Sequence, residues 1–263
     1  MFERFAFDNI CCDEYGIRCV LFESGGKQTF DSQITELKTE KSIKSEIYNI
    51  ISQEYNNPLI YTMQIVNRDF SPITQYQERV LKKWLCRKGE YKQFAILNKR
   101  YADICFQVNI SNPKLIWIND VNGLEFTITT NSPVAFSDER NYIYSFDGRN
   151  NISIYINNDE DLPIYPSMII TSSQAGTLNI TNQSNTDIHH NTFSIKNVKA
   201  NEIITIDSSY PIIESSDNAH NKTIYNDMNK EWFFFINGFN NVFVDKRCTI
   251  NFKYKEYRKV GLV

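Results

Sequence analysis

Apolar and polar residues alternate along much of the chain. In "YADICFQVNI" (101–110), Ile104, Phe106, Val108 and Ile110 alternate with Cys105, Gln107 and Asn109, the period of a strand with one buried face. "LEFTIT" puts Leu124, Phe126 and Ile128 on one side, and "LIYTMQIV" does the same with Leu59, Tyr61, Met63 and Ile65. Further short runs predict strands at 17–22, 94–97, 115–118, 152–156, 168–170, 177–181, 203–206, 232–236 and 249–254. Clusters of Asn, Asp, Ser, Gly and Pro separate them. The pattern predicts a mainly β chain, built as sandwiches or partly closed barrels, and not a parallel sheet wrapped by helices.

One segment changes period. In "SPITQYQERVLKKWLCRKGE" (71–90), Ser71 offers an N-cap hydroxyl, Pro72 suits a first turn, and Ile73, Tyr76, Val80 and Trp84 recur at helical spacing. Lys82, Lys83, Arg87 and Lys88 complement the negative end of the helix dipole, and Gly89 marks a stop. A basic face for an acidic partner is the competing reading. Packing of Tyr76, Val80 and Trp84 on a sheet is the better one.

With 263 residues the chain is long enough for one large or two modest cores, and two is the better prior. The stretch "NSPVAFSDERNYIYSFDGRNN" (131–151) is dense in turn formers and charge and separates two strand-rich halves. Domains at 1–140 and 141–263 are expected, with the last strand free to return to the first. A formal net charge of −3 supplies no broad cationic field, which argues against a protein whose task is to grip a phosphate backbone. The N-terminus lacks a basic start and a long apolar run, and no stretch approaches the roughly 20 apolar residues of a membrane span. Synthesis in a reducing cytoplasm is expected.

Candidate chemistry is sparse. Cys11, Cys12, Cys19, Cys86, Cys105 and Cys248 show no paired C-x-x-C spacing, and His189, His190 and His220 lie far along the chain from the Cys11 cluster. Reduced structural thiols, no metal and no cofactor are expected. The histidines fall in polar stretches and read as loop residues. The carboxylate pairs Asp13–Glu14 and Glu160–Asp161 are sequence neighbours, whereas a hydrolase needs carboxyls on opposite sides of a substrate. "NNDEDLP" (157–163) lacks the spacing and glycine of a calcium loop and reads as a solvated turn. The dinucleotide fingerprint, the P-loop, G-x-S-x-G and H-E-x-x-H are absent. No catalytic residues and no enzyme activity are expected. Aromatics make up 14% of residues, so a carbohydrate-binding sandwich competes, although Trp117 and Trp232 sit in apolar runs where a core role is the default.

The order of segments carries a resemblance. "FAFDNICCDEYGIRCVLFES" is similar to the opening of phage distal tail proteins, where a first strand meets a polar corner, here Asp13-Glu14-Tyr15-Gly16-Ile17. "YNNPLIYTMQIVNRDFSPITQYQERVLKKWL" resembles that family's strand and capped helix, "GEYKQFAILNKRYADICFQV" its hairpin, and "LEFTITTNSPVAFSD" its closing strand. "YPSMIITSSQAGTLNITNQS" and "FFINGFNNVFVDKRCTINFKYKEYR" resemble the second domain's Pro-led strands and Gly-x-Asn turn. Cys11-Cys12 departs from the small polar residues more usual at the corner. On this resemblance Asp13, Tyr15 and Gly16 form a structural turn.

The resemblance implies a structural, non-enzymatic siphophage protein. Its first domain builds a homohexameric ring at the distal end of the virion tail, and its second is a galectin-like β-sandwich. The implied partners are other copies of the chain, the tail tube protein, a tip or baseplate protein, and receptor-binding proteins or fibres, with DNA only in transit through the bore and no membrane insertion. The alternative is a receptor-binding lectin that recognises host cell-surface polysaccharide.

Overall fold

The computed structural model describes residues 4–23, 35–42, 46–55, 57–118, 121–187, 190–208 and 210–259. The chain divides into one unit of Met1–Ser137 with Arg258–Val263, and a second of Asp138–Tyr257. Among the described residues no helix is long and apolar enough to cross a membrane.

The first unit opens with strands β1 (Phe5–Phe7) and β2 (Ile10–Cys11), then β3 (Ile17–Glu23). Between β1 and β2, Asp8 and Asn9 take φ of 52° and 63°, the left-handed pair that a two-residue hairpin turn needs and that Asp and Asn tolerate. Among the described residues, β4 (Thr35–Lys41) and β5 (Tyr48–Tyr55) pair only with each other. β6 (Ile60–Asn67), helix α1 (Gln75–Leu85), β7 (Lys92–Ile96), β8 (Cys105–Ile118), β9 (Val121–Thr130) and β10 (Ala135–Phe136) follow. The main sheet runs β2-β1-β7-β8-β9-β6-β3, with β10 on β8. It curls around its core: Phe22 of β3 stacks on Phe94 of β7 at 5.6 Å although the two strands are not hydrogen-bonded neighbours. Leu59, Tyr61, Met63 and Ile65, with Phe106, Val108, Ile110, Leu124, Phe126 and Ile128, form the buried face that their alternation predicts.

The second unit contains β11 (Arg140–Asp147), β12 (Asn151–Ile156), β13 (Ser167–Ser172), β14 (Gly176–Asn182), β15 (Thr192–Val198), β16 (Ile203–Asp207) and β17 (Ile212–Ser215). The short helices α2 (Asn218–Asn221) and α3 (Ile224–Asp227) precede β18 (Gly238–Val244) and β19 (Arg247–Tyr254). Two antiparallel sheets, β11-β19-β13-β16-β17 and β12-β18-β14-β15, enclose one core. Ile170, Ile250 and Phe252 from the first sheet meet Leu178, Ile180 and Val242 from the second, so this unit is a β-sandwich. β20 (Tyr257–Arg258) then pairs with β10, and Arg258 belongs to the first unit. Its Nε and Nη2 donate to Asp103 Oδ2 at 2.9 and 2.6 Å.

Five sequence expectations need correction. The helix begins at Gln75, with Thr74 as the N-cap accepting from the Gln77 amide, because Ser71 is tied to Asp69 Oδ1 through both its amide and its hydroxyl. It ends at Leu85 and not near Gly89, because the Asn109 amide draws the Arg87 and Glu90 carbonyls onto β8. Of the predicted packing residues, Trp84 is buried and Val80 half-buried, but Tyr76 is 78% exposed. The buried stripe is Leu81, Trp84 and Leu85, and at about 100° per residue Tyr76 lies roughly 130° from its centre.

Trp117 is not in the core. It is 72% exposed on the part of β8 beyond a bulge at 111–114, where Asn112 has φ of 52° and Pro113 has no amide to donate. The run 232–236 is not a strand. Phe235 makes only an isolated bridge to Ile164, and the segment is held by Asn240, whose side chain bonds the Ile236 amide and carbonyl. Phe233 and Phe235 nevertheless enter the sandwich core, and Trp232 packs against it half-buried.

Candidate assembly surface

The corner at the start of the chain is a built turn. Cys12–Tyr15 form one 3₁₀ turn, and Gly16 leaves it at φ 65°, a conformation that glycine adopts without steric cost. The Gly16 amide returns to the Asp13 carbonyl at 3.1 Å, and the Gly16 carbonyl accepts from Arg68. Asp13 is fixed by Arg4, whose Nε donates to Oδ2 at 2.7 Å, and this hydrogen bond holds the carboxyl below the usual carboxylate range. Tyr15 stacks on Trp84 at 4.3 Å, while Phe5 stacks on the indole at 5.9 Å and Phe7 meets it edge-on at 6.2 Å. The helix therefore clamps the corner and β1 through one buried ring.

Cys11, Cys12 and Asp13 place their ligand atoms within 4.8 Å of one another, which reopens the metal reading. The chemistry of the donors does not fit it. The Arg4 guanidinium sits on Asp13 and lies 3.7 Å from Cys11 Sγ, so a cation would have to displace a cation. Cys12 Sγ accepts from the Phe5 amide, and burial pushes its thiol up to about 11, away from the thiolate a metal needs.

Beside the corner, Tyr15, Gly16, Asn67, Arg68, Asp69, Ser71 and Gln77 line an open depression of about 610 Å³. The Asn67 amide at its floor is spent internally. It donates to the Ser71 and Pro72 carbonyls and accepts from Gln77.

The histidines divide. His189 lies outside the described residues. His190 is exposed, and its hydrogen bond to Glu231 at 2.7 Å raises its pKa. His220, expected in a polar loop, is buried on α2 with Asp217 as the N-cap. Its Nδ1 meets Glu202 Oε1, the same oxygen that the Ser215 hydroxyl reaches, and the Lys199 amide donates to Glu202 Oε2 at 2.6 Å. In a Ser-His-carboxylate relay the imidazole stands between hydroxyl and acid. Here both donors converge on the acid, so the group is a brace for the β15–β16 turn.

In the first unit, exposed apolar groups gather on two elements. The β4–β5 ribbon presents Leu37, Tyr48, Ile50 and Ile51, and Ile47 just before β5, each at least half exposed. Sequence reasoning assigned no element to this stretch. Leu115 and Trp117 on β8 form a second apolar site, at 52% and 72% exposure.

A family profile described as "Phage tail protein N-terminal domain" matches residues 1–132, and one described as "Phage tail C-terminal domain" matches 134–254. The chain belongs to the phage tail protein family. No curated protein sequence matches it.

This tail protein shares its fold with the SPP1 Dit (gp 19.1) protein, described as a paradigm of the hub adsorption apparatus in phages infecting Gram-positive bacteria. The TM-score is 0.67 at 8% identity, over 96% of this chain and 98% of that one. Two structures of the phage P2 baseplate in its activated conformation also match. The calcium form gives 0.56 at 7% identity over 97% and 98%, and the strontium form 0.58 at 10% over 100% and 99%. The family and the hub-like fold point to a structural part of the tail.

Proposed function

We propose that six copies of this tail protein close a ring at the distal end of the virion tail, joining the tail tube to the tip or host-adhesion apparatus. The observation that carries this reading is the β4–β5 ribbon. A two-stranded ribbon is marginal in water by itself, and this one holds large apolar side chains in solvent. Docked on the next copy, it would bury them and gain a third layer of contact. Such a head-to-tail contact is heterologous, and it ends in a closed ring when the rotation between copies closes. The first unit builds the ring in this account, and the second carries the contacts to receptor-binding proteins or fibres. DNA passes through the bore, whose lining is expected to avoid clustered Lys and Arg, since cations would hold phosphate and slow passage.

The test is the double variant Ile50→Asp with Ile51→Asp. Light scattering is expected to show the parent as a hexamer and the variant as a monomer, with matching circular dichroism. A variant that assembles like the parent removes the ribbon from the interface.

A further inference from the structure

The outer face of the sheet β12-β18-β14-β15 does not look like an ordinary solvated surface. Alternation sends Ile154, Ile156, Val242 and Val244 inward, and Asn151, Ser153, Tyr155, Phe239, Asn241 and Phe243 outward. Register aligns these outward residues in cross-strand pairs: Asn151 with Phe243, Ser153 with Asn241, and Tyr155 with Phe239. Tyr155 and Phe239 are 58% and 67% exposed, with ring centroids 4.9 Å apart. Gly238, at φ 90°, opens β18 immediately before Phe239. Continuing across the sheet, Thr181 of β14 pairs with Phe243 and Thr192 of β15 with Thr181.

Within β12 and β18 no outward position carries a charge, in a chain with 59 charged residues, the sum of 28 Lys and Arg and 31 Asp and Glu. Further along the sheet, Asp245 just beyond β18 accepts from Asn179 of β14, and Lys196 of β15 is exposed. We infer that this face binds a neutral oligosaccharide. Aromatic rings offer flat apolar plates to the C–H faces of a pyranose. Between the plates, the Ser153 hydroxyl and the Asn241 side-chain amide make no hydrogen bond within the described residues. An amide supplies both donor and acceptor, which matches the paired hydroxyls of a sugar. A flat apolar protein partner would bury those polar groups unpaired, at a cost that a polyol avoids. The β12–β18 strip itself offers no charge for an acidic or basic ligand to pair with, and Asp245, just beyond β18, is already bonded to Asn179. Four residue steps of strand lead from Phe239 to Phe243, about 13 Å at ~3.3 Å per residue, which suits a short oligosaccharide better than a single ring.

The inference does not rest on the ring. Titration calorimetry of the full chain would use hexamers of glucose, galactose and N-acetylglucosamine, with oligogalacturonate as the charged control. Saturable binding of a neutral hexamer is expected, insensitive to salt, and weakened about tenfold or more by Tyr155→Ala or by Phe239→Ala. Both side chains are solvent-facing, so the variants are expected to keep the parent's thermal midpoint and oligomeric state. Absence of binding to every neutral hexamer, binding unchanged in both variants, or binding confined to the charged control would overturn the inference. Loss of the ring with sugar binding intact would instead count against the assembly reading alone.

Discussion

Trp84 is the residue on which the first unit's local order depends most visibly. It touches Phe5, Phe7 and Tyr15 from three sides, so Trp84→Ala is expected to cost about 3–5 kcal/mol, read as a lower denaturant midpoint. Tyr76→Ala, eight residues earlier and exposed, is expected to change stability by no more than about 0.5 kcal/mol. Equal losses in the two variants would contradict this account of the helix.

Cys12 makes a second, pH-dependent contribution. Burial raises its thiol to about 11 from an ordinary 9.0, so the neutral form is the one the fold prefers. The stability it adds is fully present below about pH 9 and is lost as pH rises toward about 11. The parent's thermal midpoint should therefore fall more steeply across that window than that of Cys12→Ala. Cys248 and Tyr254, also raised by burial, titrate alike in both proteins and cancel in the comparison. Parallel slopes would show that the Cys12 thiol is not desolvated as the structure has it. At this scale the sequence made Gly16 and Trp84 legible, because one marks a reversal and the other a helical period. It hid His220, whose partners Glu202 and Ser215 are distant in sequence and share no motif with it.

Strands with one buried face and clear alternation were legible where apolar residues are dense, whereas β15 and β18, which also bury one face among polar Asn, Ser and Lys, were not predicted. β6, β8 and β9 alternate because one face meets a core. "TELKTEK" and "YNIISQEY" form the β4–β5 ribbon with both faces largely in solvent, so no alternation marks them. β11 was read as part of a turn-rich stretch for a related reason: Tyr142 and Ile143 are exposed, and only Phe146 is fully buried. The converse error was 232–236, apolar enough for a strand but held by the buried Asn240 and not by a ladder.

β20 is a small element with a disproportionate expected effect. Two nitrogens of Arg258 converge on one oxygen of Asp103 while the Arg258 side chain is only 9% exposed. Arg258→Ala should lower stability by about 1.5–3 kcal/mol, the range for hydrogen bonds to charged groups. The readout is urea unfolding followed by a probe in the first unit. An unchanged midpoint would mean that β20 contributes nothing to that unit.

For the whole molecule, the sequence made the β class legible through alternation in its short runs and the family through the order of its segments. The candidate surfaces were not legible, because exposure is a property of the fold: Trp117 reads as core in its apolar run and stands 72% exposed. The β4–β5 ribbon of the first unit holds large apolar side chains in solvent, and ring closure is the claim that accounts for them. Negative-stain imaging of the purified full chain at assembly concentration tests this most directly. The account predicts class averages of an annulus with six lobes around an open centre. Single two-lobed particles at every concentration, or open filaments in place of rings, would contradict it.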